Sequence, residues 1–382
     1  PRVKHGSRMH VLVTGGAGFI GTHTVDALLG RGHEVTVLDA LLPPVHPPER
    51  PADLPRGVHF IQGDIRDPQA VRRALEGVEA VYHFAAYQDY LPDLSRFFAV
   101  NAVGTALLYE IMVNEHLSIR KVVVASSQSV QGEGLWSCRE HGEFVPRSRP
   151  KAQLERGEWD VGCPWCGNTA TWKPTPETVA KPQNQYGLSK HSQELMALAF
   201  GERFGIPTVI LRYSIVQGPR QSPGNAYSGV CRIFCLAYAA GVLPTAFEDG
   251  QSMRDYVNIQ DVVAANMLVL EQDEAVGQVF NVGGGRAYSV AAFGRIVAEV
   301  YGSSELPRVV GDFRFGDTRH AVANIDALQA LGWSPGISPE ETVRDYAEWL
   351  ATQDLSDGRQ VLDRAESRMR ALGIWRRAQS RE

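Results

Sequence analysis

Over its first 213 residues the chain alternates short apolar runs with segments of helical period. Residues 9–14 (Met-His-Val-Leu-Val-Thr) are apolar without a helical period, which predicts a buried strand. The same reasoning predicts strands at 34–38, 58–61, 80–84, 121–125 and 207–213. Helices are predicted between them at about 22–29, 68–76, 93–115 and 184–204, the first closed by Gly30 and Gly32. Strands alternating with helices build βαβ units and a parallel sheet. From Gln217 the rhythm changes. Helices at about 226–240, 259–270, 289–301 and 339–352 surround one short strand at 278–282. The predicted class is α/β: a doubly wound parallel sheet in 9–216, then a smaller mixed α/β region in 217–355 that shares some elements with it. An Arg-rich tail, 356–382, is predicted to be a surface helix with a frayed end.

Two segments interrupt this order. Pro43–Pro55 holds six prolines in thirteen residues, which makes a stiff loop. Residues 133–182 stand between a strand and its helix and carry three cysteines and six prolines. An insert of that size inside a domain is functional or separately stabilised. Residues 1–8 lack an apolar stretch, so they are no signal peptide and look like an appended remnant before a start at Met9. With 38 Lys+Arg against 43 Asp+Glu, the net charge of -5 argues against a nucleic-acid partner. No apolar run nears the roughly 18 residues of a membrane span. An apolar content of 44% supports a packed core, and five cysteines are too few for a disulfide scaffold. The expectation is a reduced, cytoplasmic protein with neither nucleic acid nor membrane as partner.

The first strand runs directly into Thr14-Gly15-Gly16-Ala17-Gly18-Phe19-Ile20-Gly21. Gly15 permits the tight turn, Gly18 lets the backbone approach a pyrophosphate, and Gly21 lets the helix pack on the strand. The helix N-terminus supplies N–H donors and positive dipole to the phosphates. Asp39 follows Gly21 by eighteen residues at the end of the second strand, placed to accept from ribose hydroxyls. The strand, glycine turn, helix and acid together predict a Rossmann-type cofactor domain, and because no Arg stands beside Asp39 to hold a 2′-phosphate, NAD is favoured over NADP. Asp64 follows the third strand, where it either reaches adenine or caps a loop. Ala85 and Ala86 end the fourth and either floor the cofactor site or pack the core.

Tyr186 and Lys190 stand four residues apart, on one face of a helix. A phenol titrating near 10 must fall by about 3 units, roughly 4 kcal/mol, to act as a base at neutral pH. A neighbouring ammonium and the nicotinamide charge lower it by Coulomb attraction. Ser127 ends the fifth strand, at the edge of a parallel sheet that lines a ligand crevice, and its hydroxyl can bridge the phenol and a substrate oxygen.

With these signals in chain order, the sequence resembles the extended short-chain dehydrogenase/reductases, in their nucleotide-sugar epimerase/dehydratase group. The likeness covers about 9–350 and rests on TGGAGFIG (14–21), GDIRD (63–67), HFAA (83–86), VNAVGT (100–105), SSQSVQG (126–132), YGLSK (186–190), LRYSIVQGPRQ (211–221), RDYVNIQDVV (254–263), FNVGGG (280–285) and GDTRHAVANI (316–325). It implies a Ser127/Tyr186/Lys190 triad. It further implies NAD held by Gly15, Gly18, Phe19, Ile20, Gly21, Asp39, Asp64, Ile65, Phe84, Ala85, Ala86, Asn101, Ala125, Tyr186, Lys190 and Tyr213. A nucleoside diphosphate sugar would meet Gln88, Ser127, Gln128, Ser129, Arg220, Asn225, Arg254 and Arg319, the last two matching arginines that grip the diphosphate. The resemblance also implies a homodimer joined through the helices near 93–115 and 184–204.

In this group Tyr186 takes the sugar hydroxyl proton while NAD⁺ takes the C4 hydride, leaving a 4-keto sugar. Relatives that go on to eliminate water carry an Asp-Glu pair directly after the triad hydroxyl. Here Gln128 and Ser129 stand there and do no acid–base work at neutral pH. Hydride return to the other face, which inverts C4, needs no further acid or base. The chain departs from the group at Gln131, Ile215 and Gln217, so its sugar pocket is altered. The stretches 174–194 and 225–234, with the cysteine insert, resemble bacterial epimerases acting on dTDP-L-rhamnose. The substrate expectation is thus a dTDP- or UDP-linked sugar, giving dTDP-6-deoxy-L-talose in the first case. A dehydrogenase, a dehydratase and a non-catalytic Rossmann binding protein stay open as alternatives.

Within the insert, Cys138-Arg-Glu-His141 and Cys163-Pro-Trp-Cys166 form a CxxH and a CxxC twenty-one residues apart. Two such turns supply four ligands to one tetrahedral ion. The expectation is one structural Zn²⁺ per chain on Cys138, His141, Cys163 and Cys166, fixing the insert as a lid over the sugar site. A loop of reduced thiols with an incidental His is the alternative. Cys231 and Cys235, one helical turn apart in an apolar stretch, are expected to be merely buried.

Overall fold

The computed structural model describes residues 8–43, 51, 53–89, 91–224 and 229–379. Most of the proline loop (44–50 and 52), residues 1–7, and Asn225 therefore lie outside the described residues. The chain opens with β1 (His10–Thr14), α1 (Phe19–Gly30), β2 (Glu34–Asp39), β3 (His59–Gln62), α2 (Pro68–Leu75) and β4 (Ala80–His83). The helix predicted at 93–115 runs from Leu94 to Asn114, as α3 (Leu94–Phe98), one wide π turn over 99–103, and α4 (Gly104–Asn114). The wide turn frees the amide of Asn101 to hold the loop after β4: Tyr87 N–H donates to Asn101 Oδ1 (2.7 Å), and Asn101 Nδ2 donates to Tyr87 O (3.0 Å). π turns of this kind gather at functional sites. Contrary to the sequence expectation, 94–114 is apolar and long enough by composition to cross a membrane; here 56% of its 18-residue apolar window is buried inside the fold.

β5 (Lys121–Ser127) leads into the insert, which forms β6 (Leu135–Cys138), β7 (Gly142–Phe144), α5 (Lys151–Glu155) and β8 (Thr171–Lys173). These three strands make a small antiparallel sheet in the order β7-β6-β8, with its own apolar cluster around Trp136 and Phe144. The chain returns through α6 (Gln185–Phe204) to β9 (Thr208–Tyr213) and β10 (Ile215–Gln217). Asn184 caps α6 by accepting from Gly187 N–H at 2.8 Å, and Gly205 closes it at φ +67°. Next come α7 (Val230–Ala239), β11 (Thr245–Ala246), β12 (Met253–Asn258), α8 (Ile259–Glu271) and β13 (Val279–Val282). The remainder is β14 (Ala287–Ser289), α9 (Val290–Val300), β15 (Arg308–Val309), β16 (Asp312–Arg314), α10 (Asp326–Ala330), α11 (Pro339–Leu350), α12 (Gly358–Ala371) and β17 (Trp375–Arg377). The tail is thus more than a frayed helix. β17 pairs antiparallel with β16, and Trp375 Nε1 donates to Asp312 Oδ2 at 2.6 Å.

The main sheet is parallel throughout, in the order β13-β9-β5-β4-β1-β2-β3. Six of its strands are largely buried on both faces, as their apolar runs require, while the edge strand β3 is partly exposed. One face packs on α1 and α8 through Val25, Leu28, Val262 and Met267. The other packs on α2, α4 and α6 through Val71, Leu108, Met112 and Ala197. β13 and α8 lie beyond residue 216 yet complete this sheet and its cover, so the two halves interleave. A separate core under α7, α9 and α11 is built on Phe234, Phe293 and Tyr346. The strand order reverses between β1 and β4. That is the switch point where the carboxyl ends of the strands open a crevice.

Candidate active site

The glycine turn sits at this switch point. Gly15 has φ +68°, and a Cβ there would stand 2.7 Å from Ala85 N. A Cβ on Gly21 would stand 2.4 Å from Gly15 O. Both glycines are demanded by the fold itself. Gly18 differs, because its Cβ would meet only Gly15 O, at 3.2 Å. The bare backbone at Gly18 thus leaves a cradle at the head of α1, whose N-terminus has no side-chain cap. Uncapped N–H groups beside an open cradle fit a pyrophosphate. Asp39 accepts from Ala17 N–H (3.1 Å) and Leu41 N–H (2.9 Å), which folds the loop around its carboxylate and leaves lone pairs for ribose hydroxyls. These residues fit NAD.

A buried chain of hydrogen bonds joins this turn to α6, and sequence reasoning missed it. Ala85 N–H donates to Thr14 Oγ1 (3.2 Å), and Thr14 Oγ1 meets His83 Nδ1 (2.8 Å). His83 Nε2 meets Thr105 Oγ1 (2.8 Å), which also accepts from Gln193 Nε2 (2.8 Å) and donates to Asn101 O (2.7 Å). Gln193 Oε1 accepts from Lys190 Nζ. Thr105 already donates elsewhere, so the network assigns His83 as neutral with its proton on Nε2. Burial, then the charge of Lys190, lowers His83 to about 3, in keeping with a neutral ring. The available signals were His83 in the HFAA stretch and Gln193 three residues after Lys190.

Tyr186 and Lys190 lie one turn apart on α6. The helix is anchored by Glu194, which accepts both Arg212 Nε and Nη2 at 2.8 Å and also Ser126 Oγ at 2.5 Å. α6 approaches closely where Gly187 allows it, since a Cβ there would sit 2.6 Å from Ser129 O. This contact brings Tyr186 to Ser127, whose hydroxyl hydrogen-bonds the phenol and accepts Ser129 N–H at 3.2 Å. Ser127 and Tyr186 therefore meet, with Lys190 one helical turn further along α6. Burial raises Tyr186 to about 12, against the Ser127 hydrogen bond, although the ring keeps partial exposure. Lys190 is 1% exposed, and burial lowers it to about 7, partly opposed by Glu194.

Other predicted contacts fall differently. Asp64 binds Arg66 through Arg66 Nε (2.9 Å) and Nη2 (2.7 Å), which favours the loop-capping reading. Ile65 packs on Gly104, and Phe84 stacks near Tyr82 and Tyr213. The Tyr213 hydroxyl donates to Asn266 Oδ1 (2.7 Å), so it is engaged in the core under α8 rather than offered to a cofactor. Ala125 is buried, while Ala86 and Gln88 are exposed on the loop after β4. Arg220, at φ +67°, pairs with Asp26 at 2.5 Å. Arg254 donates to Met253 O, Arg319 O and Thr318 O at 2.8 to 2.9 Å. Arg319 is engaged by acids: Glu248 (2.9 Å), Asp249 (2.7 Å) and Asp160 (3.0 Å). Buried polar atoms without partners include Gln128 Oε1, Ser129 Oγ, both amide atoms of Gln217, and Gln221 Oε1. They follow β5 and β9, neighbours whose ends place Ser127 opposite Tyr213. Open buried polar atoms of this kind are able to receive a polar ligand or water. A crevice of about 1130 Å³ between Trp159 and Arg377 shares no lining residue with the triad. In the insert, the ligand atoms of Cys138, His141, Cys163 and Cys166 all lie within 4.8 Å of one another.

The model of the NAD dependent epimerase/dehydratase family matches residues 11–149 and 163–283, and the gap between the two falls inside the insert. The chain is 34% identical over 351 residues to a dTDP-L-rhamnose 4-epimerase of Burkholderia thailandensis, covering 90% of this chain and 95% of that protein. Among solved structures it resembles the UDP-glucose 4-epimerase of Thermotoga maritima with UDP-glucose (TM-score 0.73, 29% identity, 90% and 99% covered). It also resembles the UDP-glucose 4-epimerase of Thermus thermophilus in complex with NAD (TM-score 0.71, 29% identity, 90% and 99% covered).

Proposed function

The chain belongs to the NAD dependent epimerase/dehydratase family, and from that premise we propose that it inverts C4 of a nucleoside diphosphate sugar, with dTDP-L-rhamnose the favoured substrate. The observation that carries the reading is the Ser127–Tyr186–Lys190 assembly at the switch point, with Gln128 and Ser129 standing where an eliminating enzyme needs an acid and a base. Bound NAD supplies reversible hydride acceptance at C4. Ser127 orients the C4 hydroxyl and Tyr186 takes its proton. Lys190 favours the phenolate by its charge, and the Gln193–Thr105–His83 chain fixes its ammonium. On return, Tyr186 gives the proton back to the C4 oxygen. With Gln128 and Ser129 in place of an acid and a base, hydride return to the opposite face is the onward step that needs no further group.

The similarity to the Burkholderia protein at 34% identity supports the dTDP-L-rhamnose assignment. The test is incubation with dTDP-L-rhamnose, UDP-glucose and UDP-galactose, followed by NMR of the sugar protons. Conversion of dTDP-L-rhamnose to its C4 epimer without net NADH supports the reading. NADH rising in step with product would make the chain a dehydrogenase instead. We place the reaction in the cytoplasm, where free thiols stay reduced. We also assign a homodimer through α3–α4 and α6, which expose Leu94, Val103, Leu188 and Leu195 at 46 to 59%. Light scattering at micromolar concentration giving a monomer mass would overturn the dimer.

A further inference from the structure

The insert between β5 and α6 contains a site of a chemistry the epimerisation does not use. It is built from two hairpin turns facing each other. In the first, β6 pairs with β7 so that Cys138 stands opposite Gly142, and the turn at 139–141 carries His141. Gly142 takes φ +72°, which lets the hairpin reverse. In the second, Cys163 N–H donates to Asn168 O (2.8 Å), Gly167 N–H returns to Cys163 O (2.9 Å), and Gly167 has φ +75°. This turn carries Cys163 and Cys166.

The distances between the four ligand atoms decide what the turns can hold. A tetrahedral zinc with Zn–S about 2.3 Å and Zn–N about 2.05 Å sets neighbouring ligands about 3.8 Å apart for S···S and about 3.6 Å for S···N. Cys138 Sγ lies 3.7 Å from Cys166 Sγ and 3.7 Å from His141 Nδ1, and Cys163 Sγ lies 3.6 Å from His141 Nδ1. A disulfide would need sulfurs about 2.05 Å apart. A second observation concerns the sulfurs themselves. Backbone N–H groups of Glu140 and His141 point at Cys138 Sγ, those of Trp165 and Cys166 at Cys163 Sγ, and that of Asn168 at Cys166 Sγ. Such donors hold metal-bound thiolates in place. A third is the poverty of the local core: of its six buried apolar members, two are Cys138 and Cys163.

We propose that Cys138, His141, Cys163 and Cys166 bind one Zn²⁺ in a closed, structural site. Three thiolates and an imidazole suit zinc. Four protein ligands leave no position for water, so the ion holds the two hairpins together and takes no part in the chemistry at Tyr186. Its reach is mechanical. β6 continues back to Trp136, whose ring lies 5.2 Å from that of His320, and to Glu133, which accepts Arg319 N–H at 2.8 Å. The metal thereby fixes the segment that meets 317–320, next to the predicted substrate side of the cleft.

The test uses the full-length protein purified without chelator. Elemental analysis is expected to find about one zinc per chain. Cys163→Ser and Cys166→Ser are expected to lower it at least tenfold, while Cys231→Ser, in α7, leaves it unchanged. Protein stripped with a membrane-impermeant chelator and given Co²⁺ should develop the visible bands of tetrahedral cobalt–thiolate, and Zn²⁺ should abolish them. Trypsin should cut the stripped protein at Arg139, Lys151 or Arg156 and spare it once Zn²⁺ is restored. If the serine variants fail to fold, the stripped parent alone decides. Well under one zinc per chain, with no cobalt bands and no change in proteolysis on adding Zn²⁺, overturns the proposal. So does loss of two free thiols to a disulfide in the fresh protein.

Discussion

Replacing Lys190 by methionine is expected to stabilise the NAD-stripped protein in mild acid while ending turnover. Lys190 is 1% exposed, and burial lowers it from 10.5 to about 7. That difference is roughly 5 kcal/mol held against the native state at low pH. The sign follows from counting protons. Between pH 7 and 10.5 the unfolded chain carries a proton on this lysine that the native chain lacks, so stability rises with pH across that window. Below pH 7 both states are protonated and the penalty is complete. Methionine fills nearly the same volume without charge. It also leaves Gln193 Oε1 without the ammonium it accepts from, at a cost of about 1–3 kcal/mol. The variant should therefore be more stable than the parent by about 2–4 kcal/mol at pH 6, with the advantage gone near pH 9. Urea unfolding of both proteins at pH 6, 7.5 and 9 measures this, and sugar NMR measures turnover. A difference independent of pH, or a variant less stable at pH 6, would refute the claim that Lys190 is a desolvated ammonium.

Three further outcomes are expected. Tyr186→Phe should lower turnover by about 10²–10⁴ while NAD stays bound, since only the proton acceptor is lost; activity within tenfold of the parent rules out that role. Gly18→Ala should fold with the parent's circular dichroism yet bind NAD at least tenfold more weakly, whereas Gly21→Ala should fail to fold, because only the latter's Cβ meets backbone at 2.4 Å; the reverse ranking would contradict the cradle. Arg254→Gln should raise KM for the nucleotide sugar more than it lowers thermal stability, and Arg319→Gln should do the opposite; equal effects on both quantities would count against the division of labour between them.

Much of the frame was legible because strands buried on both faces advertise themselves as apolar runs, and all seven strands of the main sheet fall within a residue or two of their predicted places. The placement of the three proposed triad residues was legible from local spacing: Ser127 ends a strand, and Tyr186 and Lys190 share a helix face. What escaped was decided by distant partners. The π turn at 99–103 carries Asn101, whose amide reaches back to Tyr87, a contact that helical periodicity does not express. β16 and β17 are three residues each and form only by meeting across sixty positions. The His83–Thr105–Gln193 chain joins residues from β4, α4 and α6, and none is conspicuous alone. Tyr213 sits in a motif whose backbone borders the crevice, but strand alternation turns its hydroxyl to Asn266 on the other side.

The two arginines show why a motif match and a charge balance must be weighed together. Arg254 and Arg319 carry the same expectation, yet their surroundings differ. Arg319 and Arg149 stand among Glu133, Glu248, Asp249 and Asp160, four carboxylates against two guanidiniums. A diphosphate approaching that cluster meets net negative charge, and the Arg319 guanidinium is already engaged on all three nitrogens. Breaking such a buried network costs several kcal/mol, because it strands charges away from water. Arg319 therefore fits a clamp that ties the insert, through Asp160, to the loop at 248–249. Arg254 is held by three backbone carbonyls and makes no ion pair among the described residues. Carbonyls orient a guanidinium without cancelling its charge, so the attraction for a diphosphate survives at Arg254 and is neutralised at Arg319. The same resemblance thus resolves into a proposed ligand for the substrate at Arg254 and a tie between structural units at Arg319.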